Sequence, residues 1–333
     1  MLRTSRLHLE SRGPSVRLLD QNDGSCFQQL RGHNGRACAL ARVSDEKLAS
    51  GGVDKTIKLW HAAEGQCYKT LRGHKGAVST LLALNDGSSS AGSTLASGAA
   101  EHNPVPDLLL SGSHDGEIRG WDLRSGTCVD SLYPPTHKTT RPPLNGVAVS
   151  ESVQCMARWQ REQLVSGTWG GTVRLWDLPR SRCTVEFAGH NGTVWALLQS
   201  GRDTLCTAGS DGLVKLWDAR VGGAGVPVGG FSTNRPPVGT LGSSMGGRAG
   251  GPLYSMVELG DGLLVTGGYD QTLKIWDRRM YRKLNQLSGH SGAVRCLATL
   301  EDGTLLSGAT DCTVRFWEVD AGGRAEPQHL KTD

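Results

Sequence analysis

Short stretches in which apolar and polar residues alternate run along the whole chain, and most of them end at a tryptophan. Residues 56–60, for example, read Thr-Ile-Lys-Leu-Trp. A period of two residues is that of a β-strand with one buried face. Glycine- and aspartate-rich segments separate the stretches and are typical of tight turns. We therefore predict an all-β chain of many short strands.

The strand pattern recurs as a repeat. Six clear copies occupy residues 50–61, 111–122, 166–177, 207–218, 266–277 and 307–318, and a degenerate copy occupies residues 11–20. The interval from Trp176 to Trp217 is 41 residues, and so is the interval from Leu19 to Trp60. A Gly-His pair precedes four copies, at residues 32–33, 73–74, 189–190 and 289–290. A repeat of this length predicts a fold built by adding similar units side by side.

The sequence resembles the WD40 repeat family, whose Gly-His and Trp-Asp signatures fall at these positions. The resemblance implies a seven-bladed β-propeller in one domain over residues 1–333, with four antiparallel strands per blade. The first blade is expected to be degenerate and to lack its inner strand. Either the chain is a truncated product or residues of the tail fill the gap. Because the segment after Trp317 is expected to form the outer strand of its own blade, we favour truncation.

The resemblance also implies a buried hydrogen-bonded tetrad of His, Ser or Thr, Asp and Trp in each blade. The matching sets are His33/Ser50/Asp54/Trp60, His74/Ser111/Asp115/Trp121, His190/Thr207/Asp211/Trp217 and His290/Ser307/Asp311/Trp317. Histidine, aspartate and serine together also suggest catalysis. Since the set recurs four times around one ring, we interpret it as structural.

Two blades have incomplete tetrads and carry insertions nearby. Gly170 stands at the aspartate position of the fourth blade, and the sixth blade has no upstream Gly-His pair. The tetrad residues that remain are His137, Ser166 and Trp176 in the fourth blade and Thr266, Asp270 and Trp276 in the sixth. We expect these blades to be the least rigid. The glycine- and serine-rich segments at about 85–107, in the third blade, and at about 232–251, in the sixth, are expected to be flexible insertions.

Composition adds little that is specific. The net charge is +4 and the pI about 8.6, which is too weakly basic to indicate nucleic acid by itself. Cys26, Cys67, Cys128 and Cys183 occupy matching repeat positions, too far apart to form disulfides, so free thiols are expected. Residues 1–10 lack the apolar core of a signal peptide, and no stretch has 18 apolar residues. We expect a cytoplasmic or nuclear protein with no membrane partner.

Enzyme motifs find no support in the chain. Residues 242–246 match G-x-S-x-G, but no apolar strand precedes them and no helix follows. A P-loop, HExxH and paired CxxC motifs are absent from the sequence. We therefore predict a non-catalytic protein with no cofactor, no metal and no small-molecule substrate.

The expected binding surface is the upper face of the propeller. The family resemblance assigns to this face the residues near the Gly-His pairs and near the turns between the second and third strands of each blade, called the b–c turns. The candidates are Arg36, Lys75, His114, Trp169, Asn191 and Tyr269. Aromatic residues and arginine dominate binding hot spots. Trp169 has a second interpretation, in which it packs over the space left by Gly170.

On the lower face, Trp-Asp-x-Arg occurs three times and ends at Arg124, Arg220 and Arg279. WD40 substrate receptors of cullin-4 ubiquitin ligases often carry this motif, and the repeats are also similar to those of F-box/WD proteins. The most concrete prediction is thus a protein-interaction scaffold that serves as the substrate-recognition subunit of a ubiquitin ligase. An RNA-associated or ribosome-assembly scaffold is the alternative, suggested by the mild positive charge.

Overall fold

The computed structural model describes residues 8–19, 25–44, 46–84, 108–134, 151–160, 162–218, 239–242, 251–300, 302–320 and 325–328. These residues form β-strands joined by turns, with one 3-10 turn at Gly260–Gly262. The all-β prediction is therefore confirmed. The segment 85–107 and most of 232–251 lie outside the described residues, so their predicted flexibility stays a prediction.

The strands group into seven sheets that follow one another along the chain. The first sheet contains β1 (His8–Arg12), β2 (Ser15–Leu19) and β3 (Cys26–Arg31). The second contains β4 (Ala37–Arg42), β5 (Lys47–Gly52), β6 (Ile57–His61) and β7 (Gln66–Leu71). The third contains β8 (Val78–Ala83), β9 (Leu108–Ser113), β10 (Ile118–Asp122) and β11 (Cys128–Leu132). The fourth contains β12 (Val153–Trp159), β13 (Gln163–Thr168), β14 (Thr172–Asp177) and β15 (Arg182–Ala188).

The last three sheets repeat the pattern. The fifth contains β16 (Val194–Ser200), β17 (Thr204–Gly209), β18 (Leu213–Asp218) and β19 (Gly239–Gly242). The sixth contains β20 (Leu253–Leu259), β21 (Leu263–Gly268), β22 (Leu273–Asp277) and β23 (Arg282–Leu287). The seventh contains β24 (Val294–Thr299), β25 (Leu305–Ala309), β26 (Val314–Val319) and β27 (Ala325–Gln328).

Strand order corrects the prediction of a seven-bladed propeller. Six sheets have four strands in sequence order, whereas the first has only three. The described part of the chain therefore holds six complete blades and not seven. In the three-stranded sheet β2 carries Leu19 at the tryptophan position and pairs with both neighbours. As expected, β27 pairs with β26 as the outer strand of the last sheet.

Each central strand is buried because both of its faces are covered. In the second sheet Leu48 lies opposite Trp60, and in the seventh Leu305 lies opposite Trp317. All four of these side chains are at most 2% exposed. Burying a tryptophan or leucine fully is worth about 2–3 kcal/mol, so these pairs anchor each sheet.

The chain divides into two compact units, residues 1–166 with 174–184, and residues 167–173 with 185–333. In the first unit, the three-stranded sheet packs its Val16 and Leu18 into one core with Leu48 and Trp60 of the second sheet. In the second unit, the first strands β16, β20 and β24 lie side by side. Adjacent sheets within each unit therefore share a core.

The repeated cysteines lie where the repeat predicts. Cys26, Cys67 and Cys128 are exposed free thiols near the start of an outer strand. Each lies next to a register irregularity. Each thiol donates to the carbonyl two residues further on, over 3.2–3.4 Å. This common geometry explains the recurrence of cysteine without a disulfide.

Candidate functional site

The polar tetrads form one hydrogen-bonded chain in each of four sheets. In the second sheet, Trp60 Nε1 donates to Ser50 Oγ over 2.8 Å, Ser50 Oγ lies 2.7 Å from His33 Nε2, and His33 Nδ1 lies 2.9 Å from Asp54 Oδ2. An indole N–H can only donate and a carboxylate only accept. The Nδ1–H of His33 therefore donates to Asp54, and Ser50 Oγ connects the indole to the imidazole.

The other three tetrads have the same geometry. The contacts join His74, Ser111, Asp115 and Trp121 in the third sheet, His190, Thr207, Asp211 and Trp217 in the fifth, and His290, Ser307, Asp311 and Trp317 in the seventh. The hydroxyl-bearing residue is fully buried in all four sheets. A hydroxyl that is both buried and hydrogen-bonded on two sides cannot attack a substrate.

Electrostatics at the tetrads favour an ionised aspartate in all four sheets and a neutral histidine in the third and the seventh. Burial raises the pKa of Asp54, but hydrogen bonds from Asn34, Thr56 and His33 outweigh it and lower the pKa to about 2. The pKa of Asp311 is lowered in the same way, against the effect of burial. Burial lowers the pKa of His74, although the charge of its aspartate partner opposes the shift. Asp54 and Asp311 are thus ionised near neutral pH, and burial favours the neutral form of His74.

One tetrad also places metal-ligand atoms close together. His74, Asp115 and Glu117 offer donor atoms within 4.8 Å of one another. However, Glu117 forms an ion pair with Arg119 over 2.8 Å, and Asp115 accepts from the backbone N–H of Lys75 over 2.7 Å. The protein's own donors already use these carboxylates, so we interpret the group as part of the tetrad network.

The incomplete tetrads keep their tryptophan contact. Ser166 Oγ accepts from Trp176 Nε1 over 2.8 Å, and Thr266 Oγ1 accepts from Trp276 Nε1 over 2.9 Å. His137 lies outside the described residues. In the sixth sheet, Lys274 forms an ion pair with Asp270, as Lys215 does with Asp211 in the fifth.

The fourth sheet compensates differently. Gly170 offers no carboxylate there, and the buried Arg174 pairs instead with Glu151. In both incomplete sheets the basic residue of the third strand, Arg174 or Lys274, is therefore paired with an acidic residue. Neither of these buried cations is left without a partner.

The predicted upper-face residues of the first unit are exposed. Arg36, Lys75 and His114 all reach the surface. His114 Nε2 lies 3.1 Å from Gln154 Nε2, and burial lowers the pKa of His114 against the opposing charge of Asp115. Among the described residues of this unit, hydrogen bonds connect His114 to Gln154 and the backbone of Lys75 to Asp115, and do not connect these three residues to one another.

The second unit presents a connected aromatic group that includes one predicted residue. Trp169, 50% exposed, meets Trp195 edge-on with ring centroids 6.0 Å apart. Trp195 meets Tyr254 edge-on at 5.4 Å, and the guanidinium of Arg295 lies 4.0 Å from the Tyr254 ring centroid. We call these four residues the aromatic surface.

A hydrogen bond to Ser210 orients the aromatic surface at Trp195. Trp195 Nε1 donates to Ser210 Oγ over 2.9 Å, so its ring is held in one orientation. Edge-to-face aromatic pairs and cation–π pairs add about 0.5–1.5 kcal/mol each to the area that they bury. The other predicted residues of this unit, Asn191 and Tyr269, are exposed, Tyr269 by 63%.

Sequence reasoning missed Trp195, Tyr254 and Arg295. They share one repeat position, the second residue of the first strand, which is Cys38, Ser79, Gln154, Trp195, Tyr254 and Arg295 in successive sheets. Aligning the copies on their first strands as well as on the tryptophan would have shown two aromatic residues and an arginine in a row.

The predicted lower-face arginines are only partly described. Arg124 and Arg279 are exposed, and the backbone N–H of each donates to the preceding Trp-Asp carboxylate over 2.8 Å. Arg220 lies outside the described residues. The motif thus forms the same turn in the third and the sixth sheet.

These features define a class: a repeat protein of small β-sheets whose polar networks hold the fold and whose chemistry lies on exposed surfaces. The family model for "WD domain, G-beta repeat" matches residues 24–61, 65–122, 127–177, 181–218, 250–277 and 281–318. The chain therefore belongs to the WD40 repeat family. WD40 propellers are generally non-enzymatic interaction scaffolds, and this chain is such a propeller.

Several named proteins share sequence similarity with part of this chain. Mitochondrial division protein 1 of Aspergillus oryzae is 28% identical over 209 residues, 55% of this chain and 31% of the relative. The Pyricularia oryzae protein of that name is 31% identical over 213 residues, 55% of this chain and 32% of the relative. Telomerase protein component 1 of Rattus norvegicus is 27% identical over 59% of this chain and 7% of the relative. The match thus spans a third or less of these relatives.

A solved structure supports the fold. The crystal structure of the WD40 β-propeller domain of Doa1 superposes with a TM-score of 0.68 and covers 93% of this chain and 88% of that one. Its sequence identity is 20%, so the likeness concerns the fold alone.

One prediction is overturned by the comparisons. The expected cytoplasmic or nuclear location is wrong, since several of the relatives carry the name Mitochondrial division protein 1. The sequence contained no signal for this, because propeller repeats carry fold information and little about location. Among the described residues, no helix has the length and apolarity needed to cross a membrane.

Proposed function

We propose that this chain is a protein-interaction scaffold whose main binding site is the aromatic surface formed by Trp169, Trp195, Tyr254 and Arg295. The observation that carries the proposal is the half-exposed Trp169 at the end of a chain of ring contacts. A tryptophan in a short polar turn has no need to be there for burial. Truncating such an anchor typically costs 2 kcal/mol or more of binding energy, about 30-fold in Kd.

The chemistry of the surface favours a peptide partner with an apolar side chain next to an acidic one. The rings offer apolar contact area with few rotatable bonds. Arg295 is exposed and stacks on Tyr254, which leaves its outer donors available for a carboxylate. Both features lie within the second unit and depend on no other part of the chain.

Affinity purification with mass spectrometry tests this proposal. The full chain is compared with Trp169→Ala, with Arg295→Ala and with Phe27→Ala. Phe27 is a matched control because it is also an exposed aromatic residue, 42% exposed, but lies on β3 outside the aromatic surface. Proteins lost with both surface variants and kept with the control support the proposal. An unchanged set of partners in Trp169→Ala contradicts it.

The ubiquitin-ligase version of the function is proposed on the Trp-Asp-x-Arg copies. What supports it is the equivalent presentation of Arg124 and Arg279 on the turns after the third strands. Replacing Arg124, Arg220 and Arg279 by alanine together should abolish recovery of a cullin-4 type adaptor in a pull-down. Failure to recover any ligase adaptor with the unaltered chain contradicts this version.

An RNA-associated scaffold is the second candidate. The observation in its favour is again the aromatic surface, because nucleobases stack on exposed rings beside arginine. Filter binding with a single-stranded RNA should then weaken steeply as salt rises. Binding that is absent at low salt excludes the candidate.

We further propose that the three-stranded first sheet serves as a seventh, incomplete blade. The 41-residue interval from Leu19 to Trp60 and the shared core of Val16, Leu18 and Trp60 support it. Leu18→Ala should then destabilise the chain by about 2–5 kcal/mol, as core truncations do. A loss below about 1 kcal/mol in urea unfolding would show that this sheet packs only loosely.

The names of the relatives support a proposal about place. We propose that the scaffold works in association with mitochondria, as the name Mitochondrial division protein 1 suggests for the relatives. Fractionation of cells that express the tagged full chain should recover it with mitochondria. Recovery elsewhere rejects the proposal.

A further inference from the structure

A cavity separate from the aromatic surface lies between the fifth and sixth sheets of the second unit. It has a volume of about 200 Å³, and its lining residues are Thr204, Leu216, Trp217, Asp218, Arg278, Arg279 and Tyr281. A cavity needs only about 10–15 Å³ to hold one water molecule, so this one has room for a side chain of several atoms.

The position of Arg278 in the repeat is unusual. It is the second residue after the tryptophan, and the other five tryptophan-bearing copies have Ala62, Leu123, Leu178, Ala219 and Val319 there. Ala62, Leu123 and Leu178 are buried. The sixth sheet thus places a guanidinium where its neighbours place a small or aliphatic side chain, and the repeat fold does not require a charge at this point.

The side chain of Arg278 has one hydrogen-bonded donor and one buried donor without an acceptor. Its Nη1 donates to the carbonyl of Ser200 over 3.1 Å. Its Nε is buried and meets no acceptor within the described part of the chain. A buried donor without an acceptor is rare in native proteins and calls for an explanation.

Arg279 adds a second guanidinium to the same cavity. Its side chain is exposed, and its backbone N–H is held by Asp277 Oδ1 over 2.8 Å. That carboxylate oxygen also accepts from the backbone N–H of Met280, so Asp277 is engaged in the turn. Asp218 is the one carboxylate among the residues that line the cavity, against two arginines. The lining therefore has a surplus of positive charge.

We propose that this cavity binds the carboxylate of an acidic side chain on a partner protein, held between Arg278 and Arg279. Arginine presents its donors in a planar fork that matches a carboxylate. Trp217 and the 45% exposed Tyr281 supply an apolar wall for the residue beside it. The proposal concerns residues other than the aromatic surface and does not depend on that surface.

A labelled peptide provides the probe. We would use a fluorescein-labelled hexapeptide with two glutamates beside a phenylalanine, a matched glutamine version and a matched phosphoserine version, each followed by fluorescence anisotropy. The full chain should bind the glutamate peptide at least about tenfold more tightly than the glutamine peptide, because the ion pair with arginine is lost with the charge. Equal binding of the two peptides, or none at millimolar concentration, overturns the proposal. Preference for the phosphoserine version overturns the assignment to a carboxylate.

The repeat itself supplies the decisive variant. Arg278→Leu introduces the residue that the third and fourth sheets carry at this position, so the chain should fold with an unchanged or higher melting temperature. Its Kd for the glutamate peptide should rise about tenfold or more. A lowered melting temperature would assign Arg278 to the fold and overturn the proposal.

Two further variants separate the possible sources of binding. Arg279→Gln should weaken the peptide as well, whereas Arg124→Gln should not, because Arg124 occupies the same turn position beside the aliphatic Leu123. Trp169→Ala should also leave this binding unchanged, so that failure here and failure of the aromatic surface can be told apart. An equal effect of Arg124→Gln and Arg279→Gln would show a general charge effect and refute the site.

Discussion

Removing one buried hydroxyl should lower the free energy of unfolding about twice as much in a complete tetrad as in an incomplete one. The perturbation is Thr207→Val in the fifth sheet compared with Thr266→Val in the sixth. Both threonines are fully buried and belong to the second unit. Valine has nearly the same shape as threonine, so the change removes the hydroxyl with little change of volume.

The structure gives the expected magnitudes. Thr207 Oγ1 accepts from Trp217 Nε1 over 3.0 Å and lies 2.7 Å from His190 Nε2. Its removal therefore leaves two buried polar groups unsatisfied, each at a cost of about 1–2 kcal/mol. We expect Thr207→Val to lower the free energy of unfolding by about 2–4 kcal/mol.

Thr266 provides the matched control. Its Oγ1 accepts from Trp276 Nε1 over 2.9 Å, and the sequence has no Gly-His pair before this sheet. One indole N–H is then left without its acceptor, which predicts a loss of about 1–2 kcal/mol.

Urea unfolding followed by tryptophan fluorescence measures both losses. The comparison is valid when the slope of free energy against urea is the same in the two variants and the unaltered chain. A combined Thr207→Val, His190→Ala variant completes a double-mutant cycle that isolates the His190 contact. Equal losses in the two single variants would refute the view that histidine completes the tetrad energetically.

Three further outcomes follow from the same geometry. Stability should fall as the pH drops below about 6.5, because the unfolded state takes up a proton that buried His74 resists in the folded state. It should fall again below about 4, where Asp54, with its folded pKa of about 2, no longer favours the native state. Urea midpoints measured against pH would show both steps, and a flat profile from pH 7 to 5 contradicts the first. Gly267→Ala should cost about 1–3 kcal/mol, since its Cβ would lie 2.5 Å from Val294 Cγ1 of the next sheet, and a neutral result in the same urea assay would show that the sheets can separate. Lys274→Met should destabilise the chain by about 3–5 kcal/mol, because it leaves the Asp270 carboxylate without its ion pair. A gain in stability would show that the pair is not favourable.

The repeated features could be predicted because each one recurs. The four complete tetrads, the outer strand after Trp317 and the free thiols at Cys26, Cys67 and Cys128 all depend on residues at matching positions. When the same residue type recurs at one position, the same local physical requirement must recur too. Six complete blades follow from the same evidence.

Features that occur once escaped sequence reasoning. Strand β19 consists of Gly-Thr-Leu-Gly inside a glycine-rich run that predicts a flexible loop, yet it pairs with β18 from Leu213 to Leu216. Glycine is disfavoured in strands, so this segment forms a strand only because it pairs with the open edge of β18. The pairing partner is a tertiary fact that no local pattern contains.

The aromatic surface escaped for a related reason. Trp195 and Tyr254 occupy positions where a pattern of alternation expects any exposed residue, so their type carries no signal for the fold. Their meaning arises only when neighbouring sheets bring one position of each repeat side by side. Trp169 was singled out because an aromatic residue in a turn is unusual, whereas one in a strand is common.

The incomplete tetrad of the fourth sheet has a consequence for Trp169, which is the residue before Gly170. In complete blades the aspartate of the b–c turn is tied to histidine, which fixes the turn, and in the fourth sheet Gly170 removes that link next to Trp169. Between the two incomplete sheets lies the fifth, whose complete tetrad and Ser210–Trp195 hydrogen bond hold the centre of the surface. A binding site is held more precisely when its residues stand on rigid elements. Restoring the aspartate with Gly170→Asp should weaken partner capture, because it places a carboxylate beside Trp169. Undiminished capture by this variant would show that the lapse is neutral drift in the repeat and has no part in binding.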